Sequence, residues 1–354
     1  MALYGLAADS DSAEHLQQWQ AAQRGVRAKL GAGYFDWVLE QAGIDVALAN
    51  RVRMAQQLDA RHFRWVPYDD ALLFPLNNGA QKAKNPDRKV LYGAEEQLLR
   101  TAMSSLRVVS LPATLNAYLT TIVGPTLESQ KKMGAVAIKF EAAYLRSLDF
   151  EPVTREVAAD IYARHVRGRG PAASDYKKLQ DFLFHEIAAR AGRLGLVMHI
   201  HTGTGCGDYF ETHGSDPLLL EPTLNDPALR TTRFVLLHGG SPFDRHNTSI
   251  VVKPNAWVDI SVLELLFSPA ELASIMRPWL EMMPERVLFG TDAGPFGPGM
   301  GWEETTWMGS RRARQALAIV LTEMVHDGVV SQARAKEIAE RVLRQNALEL
   351  YGWR

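Results

Sequence analysis

The stretch LVMHIHTGTGCGD, residues 196–208, decides how this chain is interpreted. Its first part is mostly apolar and reads as a buried strand, within which His199 and His201 stand two positions apart. Because side chains alternate between the two faces of a strand, both imidazoles point to the same side. The run then breaks into a glycine-rich turn. A buried strand that carries polar side chains near its carboxyl end and opens into a loop is typical of the catalytic end of an α/β barrel.

Length and composition fit one soluble domain of the size of an α/β barrel with insertions. The chain has 354 residues, of which 47% are hydrophobic and 22% charged, so a large core is expected. The net charge of −1 comes with no basic cluster, which argues against a nucleic acid partner. The single cysteine, Cys206, excludes an intrachain disulfide and favours a reducing cytoplasm. No signal peptide or membrane-spanning run is evident. We expect a cytoplasmic protein with a small-molecule substrate and no membrane partner; a homo-oligomer remains possible.

Short strand-like runs alternate with helical segments along the chain, which indicates βα units and a parallel sheet. The sequence therefore predicts an α/β protein of the (β/α)8 TIM-barrel type, forming a single domain over residues 1–354. The N-terminal region 1–42 is expected to be helical, and helices are expected to close the chain over 307–354. One barrel strand is missing, and the shortfall lies at the N-terminus. The seven predicted strands are 44–50, 62–67, 136–142, 196–202, 233–239, 256–262 and 286–292.

Three predicted strands end in a residue that can bind a metal or move a proton. These residues are His201, His238 and Asp292, and each precedes a turn rich in glycine or alanine. The carboxyl ends of barrel strands converge on one mouth, so the three side chains are expected to meet there. Two imidazoles and a carboxylate suit Zn²⁺ or a similar divalent ion, which activates a bound water for attack. The alternative is that each histidine is an ordinary core residue and that the aspartate caps a turn.

Further candidates stand close to these strand ends. Tyr144, Arg146 and Arg245 lie in loops that follow predicted strands, where they could hold a substrate carboxylate, although exposed arginines are equally common there. Lys139 lies within a predicted strand, and a buried lysine is costly unless it is paired, for example with Glu141 or Asp292.

Several motifs in a fixed order resemble the amidohydrolase superfamily. They are HTGTGCGD, DPLLL at 216–220, LLH, VDIS at 258–261, GTDA and QNALELYG at 345–352. The resemblance is to the amidohydrolase-2 branch, which includes nodulin-like and glutamine-synthetase-associated domains. It covers the chain from residue 136 to the C-terminus and is weak before residue 130.

That resemblance implies a (β/α)8 barrel with a metal centre and assigns roles to four residues. His201 corresponds to the ligand on strand five, and Asp292 to the acid on strand eight that passes a proton to the leaving group. His238, on strand six, would bind a second metal or polarise the substrate carbonyl. Lys139 corresponds to a lysine on strand four that can be carboxylated to bridge two metals.

One departure from the family pattern bears on the metal site. The family carries a His-x-His pair on its first strand, and no such pair precedes His199; His15 and His62 are isolated. The missing pair belongs to the same first strand that is missing from the predicted barrel. This indicates either truncation relative to the family or a degenerate site. His199 faces the same side as His201 and could contribute at the substrate site, although it lies deeper.

Three functions remain open on these grounds. The first is a metal-dependent hydrolase that attacks a C–N or C–O acyl bond of a small polar or carboxylated substrate. The second is an isomerase or decarboxylase of the uronate isomerase type on the same scaffold. The third is a catalytically degenerate barrel that serves as a binding module, which the missing His-x-His pair favours.

Overall fold

A computed structural model describes residues 2–6, 12–54, 58–296 and 300–353. It contains seven strands in these ranges, and every strand pair is parallel. Each strand falls inside one of the seven ranges predicted from the sequence. The strands are β1 (Ala47–Asn50), β2 (Phe63–Val66), β3 (Ala137–Phe140), β4 (Val197–His201), β5 (Phe234–Leu237), β6 (Ala256–Asp259) and β7 (Val287–Leu288).

The strands follow one another in space in the order of the chain. β1 pairs with β2, and β3 to β7 form a five-stranded sheet. Two isolated parallel bridges, Trp65 to Ala135 and Tyr68 to Lys139, connect β2 to β3. This sequential parallel order is the one expected of repeated βα units.

The two faces of the strands bury different sets of side chains. On the inner face, Val66, Ala137, Val197, Val235 and Leu288 belong to one small apolar cluster. The alternate positions face outward and join the large core that the helices cover, as the twofold alternation of a strand requires. Because Lys139, His199 and His201 alternate with outward residues, they share the inner face with Ala137 and Val197.

Helices cover the outer face and frame the chain at both ends. Side-chain caps mark several helix starts, for example Thr154 before the helix Arg155–His165 and Ser268 before the helix Pro269–Met282. Gly43 and Gly195 end the helices Tyr34–Ala42 and Ala173–Leu194 in the left-handed conformation that glycine adopts most easily. The helices are α1 (Ala13–Leu30), α2 (Tyr34–Ala42), α3 (Gly79–Lys82), α4 (Pro86–Ser105), α5 (Leu115–Tyr118), α6 (Gly124–Lys132), α7 (Arg155–His165), α8 (Ala173–Leu194), α9 (Glu221–Asn225), α10 (Asn247–Ile250), α11 (Leu263–Leu266), α12 (Pro269–Met282), α13 (Trp302–His326), α14 (Gln332–Glu340) and α15 (Asn346–Tyr351).

The C-terminal segment takes the place of a strand beside β7. The backbone N–H of Phe289 donates to the carbonyl of Val342 at 3.1 Å. The Asn346 amide donates to the carbonyl of Val287 at 2.8 Å, and Leu350 of α15 joins the inner apolar cluster. Within the described ranges β7 has one strand neighbour, β6, and β1 has one, β2. The side between β7 and β1 is therefore a seam without strand pairing.

The sequence placed the strands correctly but made all seven of them too long. The predicted strand 286–292 reduces to Val287–Leu288, and the backbone of Asp292 turns into the left-handed region with φ 45°. The N-terminal region is helical where it is described, while residues 1 and 7–11 lie outside the described part. None of the described helices has the length and apolar character needed to cross a bilayer.

Candidate active site

Two of the predicted site residues, His201 and His238, are in direct contact at the carboxyl ends of β4 and β5. Their ring centroids are 4.7 Å apart, and each residue is only 4% exposed. Within the described part of the chain, Nε2 of His201 is buried and has no hydrogen-bond partner. A buried polar atom without a partner costs on the order of 1–3 kcal/mol, so this nitrogen is available to a ligand.

Burial keeps both imidazoles neutral at physiological pH. Loss of hydration lowers the pKa of His238 to about 4, with Lys139 acting in the same direction and Asp292 opposing it. The pKa of His201 is lowered well below its usual value by the same loss of hydration, and by His238 and Lys139. A neutral imidazole is the form that binds a metal ion or accepts a proton.

Asp259 and Ser261 fix the orientation of His238. Asp259 Oδ1 accepts the His238 backbone N–H at 2.7 Å and the Ser261 hydroxyl at 2.8 Å. Because the Ser261 hydroxyl proton is donated to this carboxylate, its oxygen is free to accept from Nδ1–H of His238, 2.9 Å away. This arrangement leaves the lone pair of His238 on Nε2. Burial raises the pKa of Asp259 to about 6, so the carboxylate is ionised at neutral pH.

The backbone is strained at two of the predicted catalytic residues. His238 has φ 68° and Asp292 has φ 45°, a region that residues other than glycine rarely adopt. At His238 the Asp259 carboxylate holds the backbone N–H, and Gly239 continues the left-handed turn. Such strain is concentrated at functional sites in proteins.

A cavity of about 420 Å³ opens at the seam between β7 and β1. His199, His238, Asp259 and Asp292 line it, together with Tyr351 from α15. The Tyr351 hydroxyl is hydrogen-bonded to Nε2 of His199 at 2.6 Å, so His199 is committed to the C-terminal helix. The cavity has the size of a small-molecule site and a mixed polar and apolar wall.

Asp292 is exposed at the edge of this cavity rather than packed against the histidines. Its carboxylate lies within electrostatic reach of His238, whose pKa it raises against the effect of burial. In the described ranges no three His, Cys, Asp or Glu side chains form a group that could hold a metal ion. The structure thus brings His201 and His238 together and leaves Asp292 nearby but outside a complete ligand set.

Lys139 is 1% exposed and lies beside His199 in the register of β3 and β4. Its nearest carboxylate is Glu141, with 3.8 Å between Nζ and Oε1. Burial raises the pKa of the Glu141 carboxyl, while the lysine lowers it. This is the ion pair that the sequence offered as the simpler alternative to a metal-bridging lysine.

The three predicted clamps for a substrate carboxylate lie in different surroundings. The Tyr144 ring lies 4.7 Å from that of His201, and its hydroxyl accepts the backbone N–H of Cys206 at 3.2 Å. Arg146 is ion-paired with the buried Asp181 at 2.6 Å and also donates to protein carbonyls, so its guanidinium is already occupied. Arg245 is exposed and is not among the described residues that line the cavity.

The sequence analysis missed Asp259, Ser261 and Tyr351 as site residues. The first two lie in the motif VDIS, where a carboxylate at the end of a buried strand was a usable signal. Tyr351 carried no signal, because its role depends on the C-terminal helix packing against the inner face.

The matching family model is that of the amidohydrolases, over residues 129–353, well over half of the chain. Protein fluG of Emericella nidulans is 28% identical over 228 residues, which cover 61% of this chain and 25% of fluG. The chain thus spans about a quarter of the length of this curated relative.

Solved structures with the same fold have low sequence identity to this chain. A presumed metal-dependent hydrolase from Lactobacillus casei ATCC 334 matches with a TM-score of 0.66 at 18% identity, covering 91% of this chain and 76% of that one. The uronate isomerase of Thermotoga maritima matches with a TM-score of 0.62 at 15% identity, covering 89% and 69%. The glucuronate isomerase of Caulobacter crescentus matches with a TM-score of 0.64 at 13% identity, covering 89% and 66%. At this level of identity the matches describe the fold alone.

Proposed function

The chain belongs to the amidohydrolase family, and from that premise we propose that it is a metal-dependent hydrolase with a (β/α)8-type barrel. Its substrate would be a small polar or carboxylated molecule with a C–N or C–O acyl bond. The observation that carries the proposal is the contact between His201 and His238, two buried neutral imidazoles at adjacent strand ends, one with an unpartnered Nε2.

The donor set fits a divalent ion such as Zn²⁺ in chemistry, although only two ligands are in contact. His201 and His238 would hold the ion, and Asp292 would lie beside it at the cavity edge. When bound, the ion lowers the pKa of its water towards neutrality and so supplies a hydroxide nucleophile.

The chain's own residues have separate tasks in this proposal. Ser261 and Asp259 hold His238 with Nε2 free, so that this nitrogen is directed away from the hydroxyl of Ser261. Asp292, exposed at the cavity edge, accepts a proton at its carboxylate and returns it to the leaving group.

A second candidate is a binding module without catalysis. It is favoured by the lack, in the described ranges, of three acidic, histidine or cysteine side chains arranged to hold a metal ion. An isomerase or decarboxylase reaction on a uronate-like substrate is a further alternative within the enzyme class.

Metal content and turnover together test the proposal. The purified protein should bind about one equivalent of Zn²⁺ by elemental analysis, and His201→Ala and His238→Ala should each lose it. His326→Ala, at a histidine whose side chain is 87% exposed, is the matched control and should retain the metal.

Turnover is then measured on N-acyl amino acids, dipeptides, lactones and uronates. Asp292→Asn should abolish turnover without changing the melting temperature. Absence of metal at saturating Zn²⁺ would favour the binding module, activity on uronates alone would favour the isomerase, and full activity of Asp292→Asn would refute the proton-transfer role.

A further inference from the structure

A second cavity, of about 340 Å³, lies outside the inner face of the strands and has a strongly cationic wall. It is formed by the start of α4, the loop after β3 and the start of α8. Among the described residues it shares no lining residue with the first cavity. Its wall contains four cationic side chains, Lys84, Arg88, Arg146 and Lys177, and one carboxylate, Glu211.

Two of these cations are already neutralised by the protein. Arg146 pairs with the buried Asp181 at 2.6 Å, and Lys177 pairs with Asp181 at 2.7 Å and with Asp149 at 3.4 Å. These contacts tie the floor of the cavity to α8 and leave little charge for a ligand. The two remaining cations of the wall, Lys84 and Arg88, lie just before and within the first turn of α4.

Arg88 is the buried one of these two cations. It is 7% exposed, and within the described ranges its Nε is buried and has no hydrogen-bond partner. Its carboxylate partner is Glu211, whose Oε1 lies 2.5 Å from Nη2 of Arg88, and the Glu211 side chain is 64% exposed. A buried guanidinium paired with one solvent-exposed carboxylate has room for a second acceptor, because the guanidinium offers five donors in a planar fork.

Further polar groups converge on the same space. Gln81 is 7% exposed and lines the cavity, and its amide NH₂ group can donate to an anion. The 22-residue helix α8 begins here: Ala173 and Ser174 line the cavity, and the N-cap residue Ala172 provides no side-chain acceptor for the first backbone N–H groups. A helix start with unpaired N–H groups attracts negative charge.

We infer that this second cavity binds a small organic anion, whose carboxylate or phosphate group contacts Arg88 in place of Glu211. Lys84, exposed on the rim, adds attraction, and the start of α8 faces the same anion. The inference does not depend on the reaction proposed for the inner site.

Binding is measured by isothermal titration calorimetry at constant ionic strength, with inorganic phosphate and citrate as probes and glycerol as the neutral comparison. The two anions distinguish a phosphate site from a carboxylate site by their relative affinity. Arg88→Gln should weaken binding about 10-fold or more, since a charge-assisted pair is lost. Lys89→Gln removes a neighbouring exposed charge of α4 that does not line the cavity, and it should leave the affinity unchanged.

Glu211→Gln gives a change of opposite sign. Removal of the competing carboxylate should tighten binding about 2- to 5-fold, the range expected for an exposed ion pair. If Arg88→Gln fails to fold, Lys84→Gln on the exposed rim serves in its place and should weaken binding. The inference is overturned if neither anion binds, if Lys89→Gln weakens binding as much as the cavity variants do, or if Glu211→Gln weakens it.

Discussion

Replacement of Asp69 by asparagine should stabilise the protein at neutral and alkaline pH and change little near pH 4. Asp69 is 2% exposed and lies in the loop after β2, next to Tyr68. Its Oδ1 accepts from the Gln130 amide at 2.7 Å, and in the described ranges its Oδ2 has no partner. An ionised carboxylate is poorly solvated in such a place, and burial accordingly raises the pKa of Asp69 from 3.8 to about 7.

The sign follows from proton binding. Between about pH 4 and pH 7 the folded protein keeps the Asp69 proton while the unfolded chain releases it, so the free energy of unfolding falls as pH rises. At 1.36 kcal/mol per pKa unit, the shift corresponds to about 4 kcal/mol, reached at pH 7 and constant above it. Asparagine keeps the acceptor for Gln130 and does not ionise. Burial raises the pKa of the Glu95 carboxyl to about 8, and the Asp69 charge adds to this shift. Asp69→Asn removes that charge, so its effect on Glu95 also increases the free energy of unfolding at neutral pH.

Urea denaturation of both proteins at pH 5, 6, 7 and 8 measures the difference. The advantage of Asp69→Asn should grow across this range and approach a plateau at the upper end. Asp208→Asn, at an exposed residue, is the control, and its free energy of unfolding should show the same pH dependence as that of the wild type. A difference between Asp69→Asn and the wild type that stays constant within about 1 kcal/mol from pH 5 to 8 would refute the reasoning.

Three further variants test other contacts. Ser261→Ala should lower Zn²⁺ affinity about 10- to 100-fold in titration calorimetry, because Nδ1 of His238 loses the hydroxyl group that orients it. Arg146→Met should lower the free energy of unfolding by about 1–3 kcal/mol in urea, because the buried Asp181 loses its hydrogen bond to the guanidinium and keeps Lys177 as its remaining cationic partner. Tyr351→Phe should cost about 1–2 kcal/mol in the same assay, because a buried imidazole loses its hydrogen bond.

The strands were predictable because each buried strand leaves a local apolar pattern. The carboxyl ends of the strands were less predictable. A polar residue at such a position gives the same sequence pattern whether the strand pairing includes it or stops before it. Asp292 illustrates the difference: pairing stops at Leu288, and the four following residues carry the carboxylate to the cavity edge instead of onto the inner face. The contact of His201 with His238 was expected because both lie at the ends of neighbouring strands.

What the sequence could not show depends on partners far along the chain. Arg146 was a reasonable candidate for substrate binding, but Asp181, 35 residues away on α8, occupies its guanidinium. Tyr351 reaches His199 across 152 residues. Contacts of this kind are set by how helices dock on the strands, and no local pattern encodes them.

The missing first-strand histidines do not by themselves decide between an enzyme and a binding module. A buried imidazole nitrogen without a partner costs on the order of 1–3 kcal/mol, a cost that a bound ligand would remove in either case. His201 retains such a nitrogen, and the His238 beside it is held in a strained backbone conformation by Asp259. Two independent costs at neighbouring side chains are the expected mark of a site whose ligand compensates them, so the Zn²⁺ titration of His201→Ala and His238→Ala is the experiment that decides what the site binds.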